Sequence, residues 1–277
     1  MEGRLYIVAT PIGNLDDITL RAIEVLKASD LIAAEDTRRT GKLLSMLGIK
    51  KTKMISCFEH NEIKRAGELI AKLKEGLAVS LVTDAGTPAI SDPGFRVVKM
   101  AAEEGIKVVP IPGVSAVTAA LSVSALPTDE FTFKGFLPSA KVQRRKELLT
   151  LLGRKGTYVF YESPGRLEKT LSDIEDVLGD VRIFVAREIT KLNEEFLRGK
   201  VSELRGRLSG IKLKGEITLI IRIEEPPPKS MEEALVLVRE LTDKGISVND
   251  AVKVIAKESK IKKSELYIEA IKLKDKH

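Results

Sequence analysis

One pattern limits the fold more than any other feature: short apolar runs, each followed by a loop and then by a stretch with helical spacing. The runs lie at residues 5–9, 31–34, 53–58, 78–83 and 107–111. After the first, Leu20, Ile23 and Leu26 share a helical face, with Asp16 or Asp17 as the expected cap. A helix over 40–47 is stopped by Gly48. Ile63, Ala66, Leu69, Ile70 and Leu73 form a further amphipathic helix that ends near Gly76. Asp92-Pro93 reads as a cap followed by proline in the first turn, opening a helix that Gly105 closes. Repeated strand-loop-helix units predict an α/β fold with a mostly parallel sheet and helices on both faces.

The pattern changes after about residue 117. Phe131, Phe133 and Phe136 mark a strand, followed by a basic amphipathic helix over 141–152. Strands are expected at 157–161, 181–186, 194–198 and 216–223, with helices at 166–178 and 201–208. Strands outnumber helices here, which predicts a mixed sheet. The segment Glu224-Glu225-Pro226-Pro227-Pro228-Lys229 reads as a stiff linker. Three short helices follow, at 231–244 (stopped by Gly245), 248–257 and 264–273. The expected organisation is an α/β domain over 1–117, a second over 118–224 and a helical tail over 225–277. The tail's helices and lysines fit either a helix-turn-helix-like module or a cover for the body or a partner.

Composition narrows the function. A net charge of +6 favours contact with a polyanion. No apolar run approaches the ~18 residues that a membrane span needs. The chain begins directly on a strand-like segment with no secretion signal, so a cytoplasmic location is expected. Cys57, the single cysteine, reads as a buried strand residue. His60 and His277 are the two histidines, which argues against a histidine triad or a multi-histidine metal site, and no metal is expected. Neither a G-x-G-x-x-G after the first strand nor a P-loop is present.

In an open parallel sheet, ligands bind at the carboxyl ends of the strands, where strand order reverses. Three loops at such ends combine glycine with proline: Thr10-Pro11-Ile12-Gly13-Asn14, Asp84-Ala85-Gly86-Thr87-Pro88 and Pro112-Gly113-Val114-Ser115-Ala116. Such loops suit a nucleoside held by main-chain groups. The turn Glu35-Asp36-Thr37-Arg38-Arg39 either orients a polar substrate and takes up a proton, or is a solvated turn in which Asp36 or Thr37 caps a helix. Tyr161-Glu162-Ser163-Pro164-Gly165-Arg166 and Arg187-Glu188-Ile189-Thr190-Lys191 admit the same two readings. Arg144-Arg145-Lys146 and Lys253, Lys257, Lys260, Lys262 and Lys263 are either phosphate contacts or solvated faces.

Taken in order, these loops resemble the tetrapyrrole methylase superfamily. The resemblance is carried by Ala9-Thr10-Pro11-Ile12-Gly13-Asn14-Leu15, Glu35-Asp36-Thr37-Arg38, Thr83-Asp84-Ala85-Gly86-Thr87-Pro88, Ser91-Asp92-Pro93-Gly94 and Pro112-Gly113-Val114-Ser115-Ala116. Tyr161-Glu162-Ser163-Pro164 and Ala186-Arg187-Glu188-Ile189-Thr190-Lys191 narrow it to the branch that acts on small-subunit ribosomal RNA. It implies two α/β domains with S-adenosylmethionine in the cleft between them, plus the small helical module, and a homodimer. It implies 2′-O-methylation of a cytidine ribose in the decoding centre, on 16S ribosomal RNA or the small subunit. Carried over by position, Pro11, Gly13, Asp84, Gly86, Thr87, Ser115 and Ala116 are expected at the cofactor, with Tyr161 and Thr218 from the second domain. Glu35, Asp36 and Lys191 become candidate bases, and Arg38 and Arg187 candidate RNA contacts. The family commonly has histidine where Gly165 stands, so that position is not a required base here. Two rivals share these residues: a tetrapyrrole methyltransferase and a non-catalytic RNA-binding protein.

Overall fold

In the computed structural model, all five apolar runs of the first part become strands of one parallel sheet. Residues 2–50, 53–224, 230–243, 247–259 and 261–274 are described, the side chains of Lys257, Glu258, Leu273 and Lys274 excepted. Residues 225–229 of the expected linker at 224–229, the stop at Gly245, Lys260 and His277 lie outside the described residues.

The strands are β1 (Arg4–Val8), β2 (Leu31–Ala34), β3 (Met54–Ser56), β4 (Ala78–Val82) and β5 (Lys107–Ile111), in the order β3-β2-β4-β1-β5. Between and after them run α1 (Leu20–Ala28), α2 (Thr37–Met46), α3 (Glu62–Lys74), α4 (Phe95–Glu103) and α5 (Ala116–Val123). Period-2 geometry sends alternate residues to opposite faces. Leu31 and Ala33 pack with Leu5, Val79 and Leu81 against Leu69 and Leu73 of α3 and Val97 of α4. Ile32 and Ala34 pack with Val8 and Val82 against Leu26 of α1 and Leu44 of α2. Burial on both faces explains why the strands read as nearly unbroken apolar runs.

Three local expectations are corrected. Helix α1 is capped by Thr19, whose hydroxyl accepts from Ala22 N, while Asp16 and Asp17 lie in a short 3-10 turn opened by Asn14. Helix α4 begins at Phe95 after Gly94, not at Asp92-Pro93, because the bond from Ala89 N to Pro93 O folds that segment into a turn. Cys57 is buried but lies one residue past β3, its N–H donating to Ala34 O.

The second sheet comprises β6 (Phe131–Phe136), β7 (Gly156–Glu162), β8 (Arg182–Arg187), β9 (Glu195–Lys200) and β10 (Ile217–Ile223), ordered β6-β7-β10-β8-β9. Only β6–β7 is parallel among its pairings, so the sheet is mixed. Helices α6 (Lys141–Leu149), α7 (Pro164–Leu178) and α8 (Val201–Leu208) cover one face, around Phe160, Leu167, Leu171 and Val185. The opposite face, through Val159, Phe184 and Ile220, packs on Val117, Ala120 and Leu121 of α5 and on Ile12. Helix α5 thus spans the residue at which the sequence places the domain change, and it packs on the second sheet beside Ile12 from the loop after β1. Both sheets fall in one compact unit.

A second unit comprises Gly153–Lys155 and Glu224–His277. Its helices α9 (Met231–Asp243), α10 (Val248–Ser259) and α11 (Lys263–Lys274) share a core of their own around Val238, Val252, Ile255 and Leu266. Ser230 and Glu233 exchange side-chain-to-backbone bonds of 2.8 and 3.1 Å, a capping box that fixes the start of α9. Among the described residues, no helix is long and apolar enough to cross a membrane.

Candidate functional site

The loops that leave the carboxyl ends of β1, β4 and β5 interlock. Thr10 and Gly86 exchange backbone hydrogen bonds of 2.9 and 3.0 Å, and the Thr10 hydroxyl donates to Thr83 O at 3.1 Å. Gly86 has φ +82°, which only glycine adopts without strain. A Cβ on Gly113 would lie 2.9 Å from Ala9 Cβ, so the loop after β5 sits directly on the end of β1. Together with the end of β2, these loops form one wall of a cleft of about 500 Å³. The other wall comes from the second sheet: Phe136, Tyr161 to Pro164, Ile189 and Gly215 to Thr218. A cleft of this size, apolar with a few convergent polar groups, is of the kind that holds small ligands.

Carboxylates crowd the first wall. Glu35 Oε2 accepts from the Thr83 hydroxyl at 2.6 Å and from Asp84 N at 3.1 Å. Asp84 accepts from Asp36 N at 3.2 Å and pairs with Arg39 at 3.1 Å. Burial, and then the negative charge of Glu35, pushes Asp84 upward and lifts Asp92 to about 6. Burial, with Asp92 and Glu216 nearby, pushes the Tyr161 hydroxyl up to about 12. The cleft therefore favours a cation, resists a phosphate, and holds one carboxyl, Asp92, that titrates within reach of neutral pH. Among the described residues, no group of three or more His, Cys, Asp or Glu is placed to hold a metal ion.

Of the residues singled out by sequence, Glu35, Asp84, Gly86, Thr87, Ser115, Ala116, Tyr161 and Thr218 line the cleft; Pro11, Gly13, Asp36, Arg38 and Lys191 do not. Gly13 instead lets the first loop approach the loop after β8: a Cβ there would meet Lys191 Cγ at 2.5 Å and Thr190 Oγ1 at 2.7 Å. Asp36 caps α2 and chelates Arg38 at 2.6 and 3.1 Å, and these bonds hold its carboxyl far below the usual range. The Arg38 side chain is otherwise exposed. Burial alone would lower Lys191, but its bonds to Glu188 at 2.8 Å and Glu216 at 2.9 Å outweigh that and keep it an ammonium. Arg187 is paired with Glu195 at 2.9 Å. Sequence reasoning missed Asp92, which reads as a helix cap, and gave Phe136 no role beyond marking a strand.

A family model for the tetrapyrrole (corrin/porphyrin) methylases matches residues 4–205. The chain belongs to that family. This methylase is 45% identical over 274 residues to a protein of Halalkalibacterium halodurans, covering 96% of the chain and 94% of the relative. It is 50% identical over 223 residues to one of Thermotoga maritima (80% and 100% covered) and 43% over 272 residues to one of Escherichia coli O157:H7 (96% and 94%). All three are named ribosomal RNA small subunit methyltransferase I. Among solved structures, the methyltransferase CobJ superposes with TM-score 0.60 at 15% identity, and cobalt precorrin-4 methyltransferase with 0.56 at 20%. Each match covers 79% of this chain and 94% of the other, and shows the shared fold.

Proposed function

We propose that this methylase uses S-adenosylmethionine to methylate the 2′-hydroxyl of a cytidine in the decoding centre of 16S ribosomal RNA, as a cytoplasmic homodimer acting on the RNA or the small subunit. The observation that carries the reading is the convergence of the three glycine- and proline-bearing loops on one cleft completed by the second sheet. The names borne by relatives at 43–50% identity support ribosomal RNA as the substrate. The precorrin enzyme, at 20% identity, supports the fold but not a tetrapyrrole substrate.

The cleft fits the cofactor in size, in the close backbone approach at Gly86, and in the negative charge that a sulfonium and an ammonium require. Ser115, Ala116, Gly86, Thr87 and Asp84 would hold it from the first domain, with Tyr161 and Thr218 from the second. Gly13 acts from behind, by letting the first loop sit against Thr190 and Lys191; Pro11, in the same loop, is proposed to stiffen that turn. When bound, the cofactor supplies a methyl group already activated on a cationic sulfur. The chain's part is alignment, exclusion of water and removal of the hydroxyl proton. Among the candidate bases, Asp36 is chelated by Arg38, Lys191 is held protonated, and Glu35 is engaged by Thr83 and Asp84. We assign the proton instead to Asp92, a cleft carboxyl that burial and the charge of Glu35 lift to about 6 although Thr83 also bonds to it. Arg38 is left to meet RNA at the surface.

Mapping ribose methylation on 16S RNA after deleting and restoring the protein tests the activity; an unchanged map overturns it. Calorimetry with S-adenosylmethionine separates an enzyme from a non-catalytic RNA binder, and light scattering tests the dimer.

A further inference from the structure

One strand of the cleft wall departs from regular geometry. In parallel β6–β7 pairing, Phe131, Thr132 and Phe133 face Thr157, Tyr158 and Val159 in step. Continued, that register would set Gly135 opposite Tyr161. Instead the register shifts and Phe136 takes that place. The extra residue is accommodated by Gly135 at φ +66°, and a Cβ there would lie 3.0 Å from Ser91 Oγ. A bulge of this kind re-aims the side chain that follows it. Its effect here is to bring Phe136 onto the face of Phe133. Both rings meet Tyr161, at centroid distances of 5.0 and 5.5 Å.

Phe136 lines the cleft yet remains 59% exposed. A lone exposed phenylalanine is ordinary. An exposed ring delivered to a cleft by a bulge and a left-handed glycine is a constructed feature. The segment after it is also fixed: the Leu137 and Pro138 carbonyls accept from Arg166, and the Ser139 carbonyl accepts from Arg144 at 2.9 Å. Across from Gly135, Ala89 (φ +68°) and Ser91 (φ +61°) flank Ile90, itself half exposed and lining the same cleft. Strained backbone of this kind persists where the surroundings over-determine it. The cleft thus has an apolar, partly aromatic rim in front of a carboxylate-rich wall. That wall repels phosphate, whereas a nucleobase and ribose are neutral and a base has a π-face.

We propose that Phe136 is the stacking platform for the base of the target nucleotide, splayed out of the RNA so that its ribose enters the cleft while the flanking phosphates stay outside. The proposal rests on the ribosomal RNA reading above. Base–aromatic stacking of the usual strength sets the effect: removing the ring lowers kcat/KM for RNA about 5- to 150-fold.

The test measures initial methylation rates on small ribosomal subunits from cells lacking this enzyme, with Phe136→Ala, Phe136→Leu and Phe136→Tyr. Calorimetry of S-adenosylmethionine binding accompanies each variant. Ala and Leu should lose kcat/KM for subunits mainly through KM, Tyr should recover to within about threefold, and cofactor affinity should stay within about twofold. If Leu matches wild type, simple apolar cover suffices and the platform is refuted. If Ala weakens cofactor binding by the same factor as RNA turnover, the ring belongs to the cofactor and the proposal is again refuted. If the wild-type protein methylates no ribosomal RNA, the functional reading falls first and takes this proposal with it.

Discussion

Asp173→Ala should be among the most damaging single changes outside the cleft. Arg144 and Asp173 are 4% and 3% exposed, and two of the guanidinium's nitrogens lie 2.6 and 2.8 Å from one carboxylate oxygen. Without Asp173, Arg144 keeps among the described residues only carbonyl acceptors, Ser139 at 2.9 Å and Pro138 at 3.5 Å. A guanidinium left buried without its counter-charge costs about 3–5 kcal/mol. For a body of this size, that is a melting-point loss of about 6–20 °C. Thermal and urea unfolding followed by circular dichroism would measure it. The same reasoning predicts that Arg144→Met with Asp173→Leu recovers most of the loss, because no charge then remains to be solvated; Arg145 keeps Asp176 at 2.7 Å. A loss below about 1 kcal/mol for Asp173→Ala, or a double variant no more stable than the single one, would refute the argument.

Changes at three further residues have expected outcomes. Methylation should decline as pH falls through about 6, because Asp92 must be ionised to accept a proton, and Asp92→Asn should lower the rate about 10²- to 10⁴-fold and remove that limb. The same raised pKa means that the wild-type protein loses stability as pH rises from about 4 to about 6. Asp92→Asn should therefore melt higher than wild type at pH 7 but not at pH 3.5, and an equal difference at both values would dispose of the assignment. Gly86→Ala places a Cβ on a residue at φ +82°, so it should cost about 1–2 kcal/mol and weaken cofactor binding by calorimetry. Glu62→Ala removes the buried carboxylate that accepts from Gly94 N at 3.0 Å and Arg96 N at 2.8 Å; a loss of about 1–3 kcal/mol with faster hydrogen exchange at the start of α4 should follow.

The strands of the first sheet were legible because burial on both faces leaves an unmistakable apolar run, as in Leu31-Ile32-Ala33-Ala34, buried at every position. The cleft loops were legible because glycine and proline are forced where a backbone turns tightly or touches a neighbour, as at Gly86 and Gly113. Asp92 was lost because Asp-Pro is equally good chemistry for a helix start. Only the turn closed by Ala89 and Pro93, with Glu62 reaching in from α3, decides that the helix begins later. Lys191 and Asp36 carry reactive side chains, but whether a charge is free or paired depends on partners as distant as Glu216. Phe136 was read as a strand residue, which it is; a register shift against β7 is a property of two strands and leaves no mark on one.

The three C-terminal helices share one apolar core, and Ser230 and Glu233 cap the first turn of α9. The Thermotoga maritima relative is matched over its whole length by 223 residues, leaving unmatched a length of this chain about that of the stretch from Glu224 to His277. A bundle with a core of its own has what it needs to fold as a separate piece. Substitutions on its outer face then act on that surface without disturbing the packing that holds the three helices together.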